Sequence, residues 1–314
     1  MPASTLQPAI LGWYATRGRE LAFRGTRDPY AILVSELMAQ QTQAARAAEY
    51  WTRFLAEFPT VQALAASTPA AVLRAWRGLG YNRRALALRA AAIAIVRDHD
   101  GRVPDDIEAL QRLPGVGPYT ARAVAALAFG RRVGAVDVNV RRVLSRAVGG
   151  DLDAFTPAEL QVVADDLVPP HDPGAWTHAL MDIGATFCGP RQPRCAPCPA
   201  AVACRYALER AGEAEAEPAP EPAPVAPAPD VGATRRRPPG TRERPAPYEA
   251  TNRWLRGRLL DLLLDGPDGT WVRLPGSLGV HDEVAIGGAL AGLVRDGLAA
   301  RHPEDPELAR LPIA

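Results

Sequence analysis

The sequence contains no lysine. All 36 basic residues among its 314 are arginine. That excludes a lysine Schiff base, a phosphate-loop lysine and a pyridoxal-phosphate anchor, because arginine stays protonated and is no nucleophile. The abundance of Ala, Arg, Gly and Pro points to GC-rich coding DNA as the cause, and the chemical consequence holds whatever the cause. Long hydrophobic runs are missing too. No apolar stretch reaches the roughly 18 to 20 residues of a membrane span, and the start MPASTLQPAI has no basic flank or long apolar core of a secretory signal. The expectation is a cytoplasmic enzyme without a membrane partner. Cysteine is scarce: the only four lie between Cys188 and Cys204. A disulfide framework would more often be spread through a small secreted chain.

What is present suffices for two or more domains. The formal charge of +1 hides a split. Residues 1–210 carry 24 Arg against 19 acids, and residues 211–314 carry 12 Arg against 16. The first part is therefore mildly basic, which suits a polyanionic partner. Residues 211–247 hold ten of the 31 prolines and few large apolar residues, a semi-extended linker. The body before it reads as helical. Asp28-Pro29 is an N-cap followed by proline at the first helical position. Further helical stretches are Tyr50–Phe58, Val61–Ala66, Pro69–Trp76, Arg84–His99, Ile107–Arg112, Pro118–Phe129, Asn139–Ala147 and Pro157–Leu167. No alternating pattern is long enough for a sheet. After the linker, Ala250–Leu264, the short TWVRL and Glu283–Asp296 suggest a small helical, winged-helix-like unit.

Three motifs carry chemistry. Cys188-x6-Cys195-x2-Cys198-x5-Cys204 places four thiolates on a compact loop, enough to enclose one [4Fe–4S] cluster. Tetrahedral zinc is the rival, although zinc sites more often show two close pairs far apart. Next, Leu113-Pro114-Gly115-Val116-Gly117-Pro118-Tyr119 makes a tight turn opening a helix, where the N–H groups around Gly115, Val116 and Gly117 can bind a phosphate oxygen. This reads as the hairpin of a helix-hairpin-helix, which grips a nucleic-acid backbone without reading sequence; an ordinary glycine-containing helix–helix turn is the alternative. Finally, Glu36 and Asp137 each lie among apolar neighbours. Burial raises a carboxyl pKa and suits a general acid, and a second, ionised acid can stabilise a developing cation. That division fits glycosidic cleavage. Two acids paired with buried arginines are the alternative.

Together these residues resemble the helix-hairpin-helix DNA glycosylases that carry an iron–sulfur cluster, and among them the adenine-specific (MutY-type) branch. The resemblance spans roughly residues 8–208. It rests on RDPY at 27–30, SELMAQQTQ at 35–43, GLGY at 78–81, LPGVGPYTA, AVDVNV at 135–140, MDIGA at 181–185 and the four cysteines. It implies an all-α fold: a six-helix barrel domain over 23–132, a cluster domain from 1–22 and 133–210, the linker, and a small C-terminal unit over 248–314. It implies that Glu36 protonates adenine, that Asp137 stabilises the sugar cation with Asn139 close by, and that Tyr119 stands where lyase-type relatives keep a catalytic lysine. Gln41 and Thr42 would contact the opposite base, Tyr81 would wedge beside it, and Arg24 and Asp182 would line the adenine pocket. The four cysteines would ligate the [4Fe–4S] cluster. The implied reaction is hydrolytic removal of adenine mispaired with 8-oxoguanine or guanine in double-stranded DNA, by a monomer without lysine-based lyase activity. A thymine or uracil mismatch glycosylase of the same fold and a non-catalytic iron–sulfur DNA-binding protein are the rivals. The sequence departs from the branch in having Leu21-Ala22-Phe23-Arg24, Ala39, Asn82 and Val138 at motif positions, and its tail is too short and helical for a Nudix-like domain.

Overall fold

A computed structural model describes residues 3–216 and 247–313; most of the expected linker, residues 217–246, lies outside the described residues. The chain divides into two compact units: Met1–Ala211 with Leu311–Ala314, and Gly212–Arg310, the boundary falling within the last helix of the body. In the first, α1 (Ala3–Arg17) is followed by α2 (Pro29–Ala39), α3 (Ala44–Glu57), α4 (Val61–Ala66), α5 (Pro69–Ala75) and α6 (Arg83–Asp98). Then come α7 (Ile107–Arg112), α8 (Pro118–Phe129), α9 (Val138–Leu144), α10 (Pro157–Asp166), α11 (Pro173–Thr186) and α12 (Arg205–Ala216). One device starts many of these helices: a capping side chain followed by proline. Asp28 accepts from the Tyr30 N–H, Thr68 from Ala71, Thr156 from Glu159 and Asp172 from Ala175, each directly before a proline. No strand occurs among the described residues of this unit.

Two cores serve two ends of the body. α2 packs on α3 and α6; Leu33, Leu37 and Met38 of α2 are fully buried, as are Phe54, Trp76 and Leu88, and Phe54 and Trp76 pack edge to face at 6.0 Å. The other core joins the start of the chain to its later helices. Leu6 and Ile10 of α1 pack with Val140, Leu160, Trp176, Leu180 and Ile183, and Cys188, Cys198 and Cys204 border this cluster.

The helices differ from the sequence expectation at particular points. α3 begins six residues before Tyr50, because its first turns carry alanines that give no apolar stripe. α9 stops at Leu144 and continues as one π-wound turn, Ser145–Gly149. α1 was not expected, since Pro8 interrupts its pattern. Nor was α11, which is buried on most sides and so shows no amphipathic period.

The second unit holds α13 (Asn252–Asp265), α14 (Glu283–Arg295) and three short strands, β1 (Val272–Arg273), β2 (Ala300–Arg301) and β3 (Leu308–Arg310). The strands form an antiparallel sheet ordered β1-β3-β2. Leu255, Leu259 and Leu263 of α13 and Ile286, Leu290 and Leu293 of α14 supply the buried apolar residues of its two helices. No described helix is long and apolar enough to cross a membrane.

Candidate active site

α2 is buried along its length, and Glu36 is its one acid, 8% exposed. Burial drives the Glu36 carboxyl up to about 7, against the hydrogen bond from the Tyr119 hydroxyl and with a further push from the Asp137 charge. Tyr119 stands one residue into α8, directly after the hairpin turn. Burial, then the Glu36 and Asp137 charges, hold its phenol well above the ordinary 10. It therefore stays protonated and serves as a donor to Glu36.

Asp137 caps α9. Its Oδ1 accepts from the backbone N–H groups of Asn139 (2.8 Å) and Val140 (2.7 Å), and its Oδ2 from Asn139 Nδ2 (2.8 Å). Three donors and a helix N-terminus replace the water a carboxylate would otherwise need. Asn139 is itself fixed. Arg142 donates to Asn139 Oδ1 at 2.8 Å and to the carbonyls of Gly184 (2.8 Å) and Cys188 (2.9 Å). A continuous set of hydrogen bonds thus runs from Asp137 to the first cysteine. Gly184 makes the approach of α11 possible, since a Cβ there would lie 2.5 Å from Asn139 Cβ.

Arg24 adds a cation to the lining of the pocket. Its guanidinium forms a two-pronged bridge to Asp182, at 2.7 and 2.8 Å. Asp182 is fully buried and also takes the Arg19 N–H and Nε. Its burial pushes the carboxyl up, but Arg24 and Arg19 together outweigh that and hold it below the usual carboxylate range. Asp182 therefore does not line the pocket as expected; it anchors Arg24, which does. His178, one turn earlier on the same helix, was missed in the sequence. Burial first, then the Arg24 charge, depress its imidazole to about 3, so it stays neutral. Its i, i+4 spacing from Asp182 is the signal that could have found it.

These side chains share one cleft of about 1050 Å³, lined by Glu36, Tyr119, Asp137, Asn139, Arg24 and His178, with Gln41 and Thr42 at the same cleft. Its size is just above the range for small-ligand pockets, roughly 300–1,000 Å³, ample for a nucleoside. Tyr81 is not in this lining. It is 49% exposed, on the neighbouring Gly78–Tyr81 turn. Two loop residues other than glycine adopt left-handed backbone here, Gln41 (φ 55°) and Tyr81 (φ 49°). The hairpin joins α7 to α8: Val116 N–H bonds the Leu113 carbonyl at 3.1 Å, and Gly115 takes φ 79° with Ala87 too close for a Cβ. Gly117 sits at the N-cap of α8 without a side-chain cap, leaving that helix end to backbone donors.

Cys188, Cys195, Cys198 and Cys204 are free thiols lining one cavity. Burial pushes the thiols of Cys195 and Cys204 up and that of Cys198 to about 11, so ionising them needs a local positive charge. Arg146, almost fully buried, donates to Cys188 Sγ at 3.2 Å. Among the described residues, no group of three His, Cys, Asp or Glu is already arranged to hold a metal ion.

A helical hairpin beside a pocket with an acid, a capped carboxylate and a tyrosine is the frame of a base-excision enzyme. Residues 34–163 match the HhH-GPD superfamily of base excision DNA repair proteins. The solved structure of a thermostable thymine-DNA glycosylase matches with a TM-score of 0.62 at 31% identity, covering 66% of this chain and 97% of that one. The body thus has the all-α helix-hairpin-helix glycosylase fold. An adenine DNA glycosylase of Mycobacterium tuberculosis (strain CDC 1551 / Oshkosh) is 44% identical over 258 residues, 81% of this chain and 77% of that protein. One from Mycolicibacterium smegmatis is 41% identical, covering 82% and 79%. The chain belongs to the adenine DNA glycosylase family.

Proposed function

We propose that this chain hydrolyses the N-glycosidic bond of adenine mispaired with 8-oxoguanine or guanine in duplex DNA, and leaves the abasic site uncut. The observation that carries this reading is the convergence of Glu36, Tyr119 and Asp137 in one cleft. A carboxyl poised near 7 can give its proton to a leaving base, and the Asp137 carboxylate, fixed by three donors, would face the positive charge that develops on the sugar. Arg24 and neutral His178 offer polar contacts to a flipped base, which must leave the stack before the bond is reached. With tyrosine next to the acid and no lysine in the chain, no side-chain amine is present to attack the sugar.

The test is a set of duplexes carrying A:8-oxoG, A:G, T:G and U:G, with the products then treated with borohydride. Adenine is expected from the first two, with no adduct on any side chain. Thymine release without adenine would overturn the assignment in favour of a thymine or uracil mismatch glycosylase of the same fold. A borohydride-trapped side chain would overturn the hydrolytic step.

Cys188, Cys195, Cys198 and Cys204 would hold one [4Fe–4S] cluster, each through one thiolate. Four free thiols around one cavity, with Arg146 and Arg142 directed at Cys188, fit that donor set. When bound, the cluster would tie the segment after α11 to the core that carries α9. Anaerobically purified protein is expected to be brown, with about four irons per chain, and zinc in place of iron would refute the cluster.

A further inference from the structure

Arg84 is the second residue of α6, where a cation opposes the positive end of the helix and gives α6 nothing. The Asn82 cap adds no side-chain bond there either. Arg84 is half-buried, and burial lowers its guanidinium below the ordinary arginine value. Its bonds explain the placement. Nη1 donates to the carbonyls of Leu37 (2.9 Å) and Met38 (3.0 Å), the end of the helix that carries Glu36, and to the Gln40 carbonyl. Nη2 donates to Thr42 Oγ1 (3.2 Å) and to the Gly80 carbonyl (3.0 Å). The guanidinium also lies over the rings of Trp76 and Tyr81, 5.4 Å from each centroid. Capping α2 alone would need only the first of these contacts. The remainder join two loops, each containing a non-glycine residue in left-handed backbone, Gln41 and Tyr81. Such conformations persist only where the surroundings over-determine them, and one planar five-donor group can do that where a point charge cannot.

We infer that Arg84 is a positioning residue that locks the Gln40–Thr42 and Gly80–Tyr81 loops into one arrangement, so that both enter the duplex together and hold the stack open opposite the flipped base. The inference rests on the glycosylase reading above. It predicts a defect in opening the pair and none in the chemistry on a base already free to leave.

The experiment uses full-length Arg84→Met and Arg84→Lys beside the wild type, under single turnover with enzyme saturating. Adenine release is measured from A:8-oxoG and from adenine opposite an abasic site, where no partner base resists flipping. Both variants are expected to lose about tenfold or more on A:8-oxoG and to stay within about threefold on the unpaired adenine. Fluorescence of 2-aminopurine at the target position should fall in parallel. Equal losses on both substrates would make Arg84 a fold staple only and overturn the proposal, as would unchanged rates. Arg84→Lys keeps the buried cation and decides the matter if Arg84→Met melts below the assay temperature. A wild type that releases adenine from neither substrate defeats the glycosylase reading itself, an outcome separate from either variant pattern.

Discussion

Glu36→Gln is expected to abolish base release from an A:8-oxoG duplex, by about 10²- to 10⁴-fold, the span of a lost general acid, while duplex binding persists. Glutamine keeps the shape of the side chain and an oxygen for the Tyr119 hydroxyl, so α2 and the pocket should stand. What it lacks is the proton. Two pH signatures separate this role from a merely structural one. In the wild type the rate should fall as pH rises above about 7, where the carboxyl ionises. The stability contribution has the same direction. A carboxyl raised from 4.5 to about 7 favours the folded state fully below 4.5 and loses that advantage as pH climbs through the window to 7. That decline, on the order of a few kcal/mol, should be absent from Glu36→Gln, whose melting temperature should hold better towards neutral pH. A fully active Glu36→Gln would require another acid.

Much of this arrangement was legible in the sequence because it is carried by local signals. Asp28-Pro29 announces a helix start, and the stretches expected from Pro69 and Pro157 likewise begin helices in the fold. The hairpin glycines and the acid inside an apolar helix likewise stand out without any knowledge of neighbours. Glu36, Tyr119, Asp137 and Asn139 were named from the chain and meet at one cleft. The rest depends on long-range packing that leaves no local trace. Arg84 is one arginine among 36, and only the folded chain brings Leu37, Thr42, Gly80 and Tyr81 to it. Arg142 is equally anonymous until Gly184 lets α11 come within contact of Asn139. Asp182 depends on packing in the same way. The motif marks it for the pocket, and in the fold its oxygens are committed to Arg19 and Arg24. Motif membership marks a residue as constrained; whether it faces the substrate or holds one that does is decided by burial.

Asp137→Asn should keep the helix and lose the reaction. Asparagine is as good an N-cap as aspartate, so its single oxygen can still accept from the Asn139 and Val140 N–H groups. In the wild type the second oxygen takes the Asn139 side-chain donor, and Arg142 fixes Asn139 so that this donor cannot turn away. The variant opposes an amide NH₂ to that donor, a loss of about 1 kcal/mol and a small fall in melting temperature. The larger effect is electrostatic. The negative charge beside the sugar disappears, and release of adenine should drop by about 10³-fold, as when one preorganised charge-stabilising group is removed. Glu36 supplies an independent check. The Asp137 charge helps to keep the Glu36 carboxyl high, so removing it should move the alkaline limb of the residual rate, or the titration of isotope-labelled Glu36, to lower pH. Both changes are expected together because the Asp137 charge acts on the Glu36 carboxyl in the cleft they share. A variant whose activity stays within tenfold of the wild type, or in which Glu36 titrates where it did before, would mean that Asp137 serves α9 as a cap and the cation is stabilised by some other group.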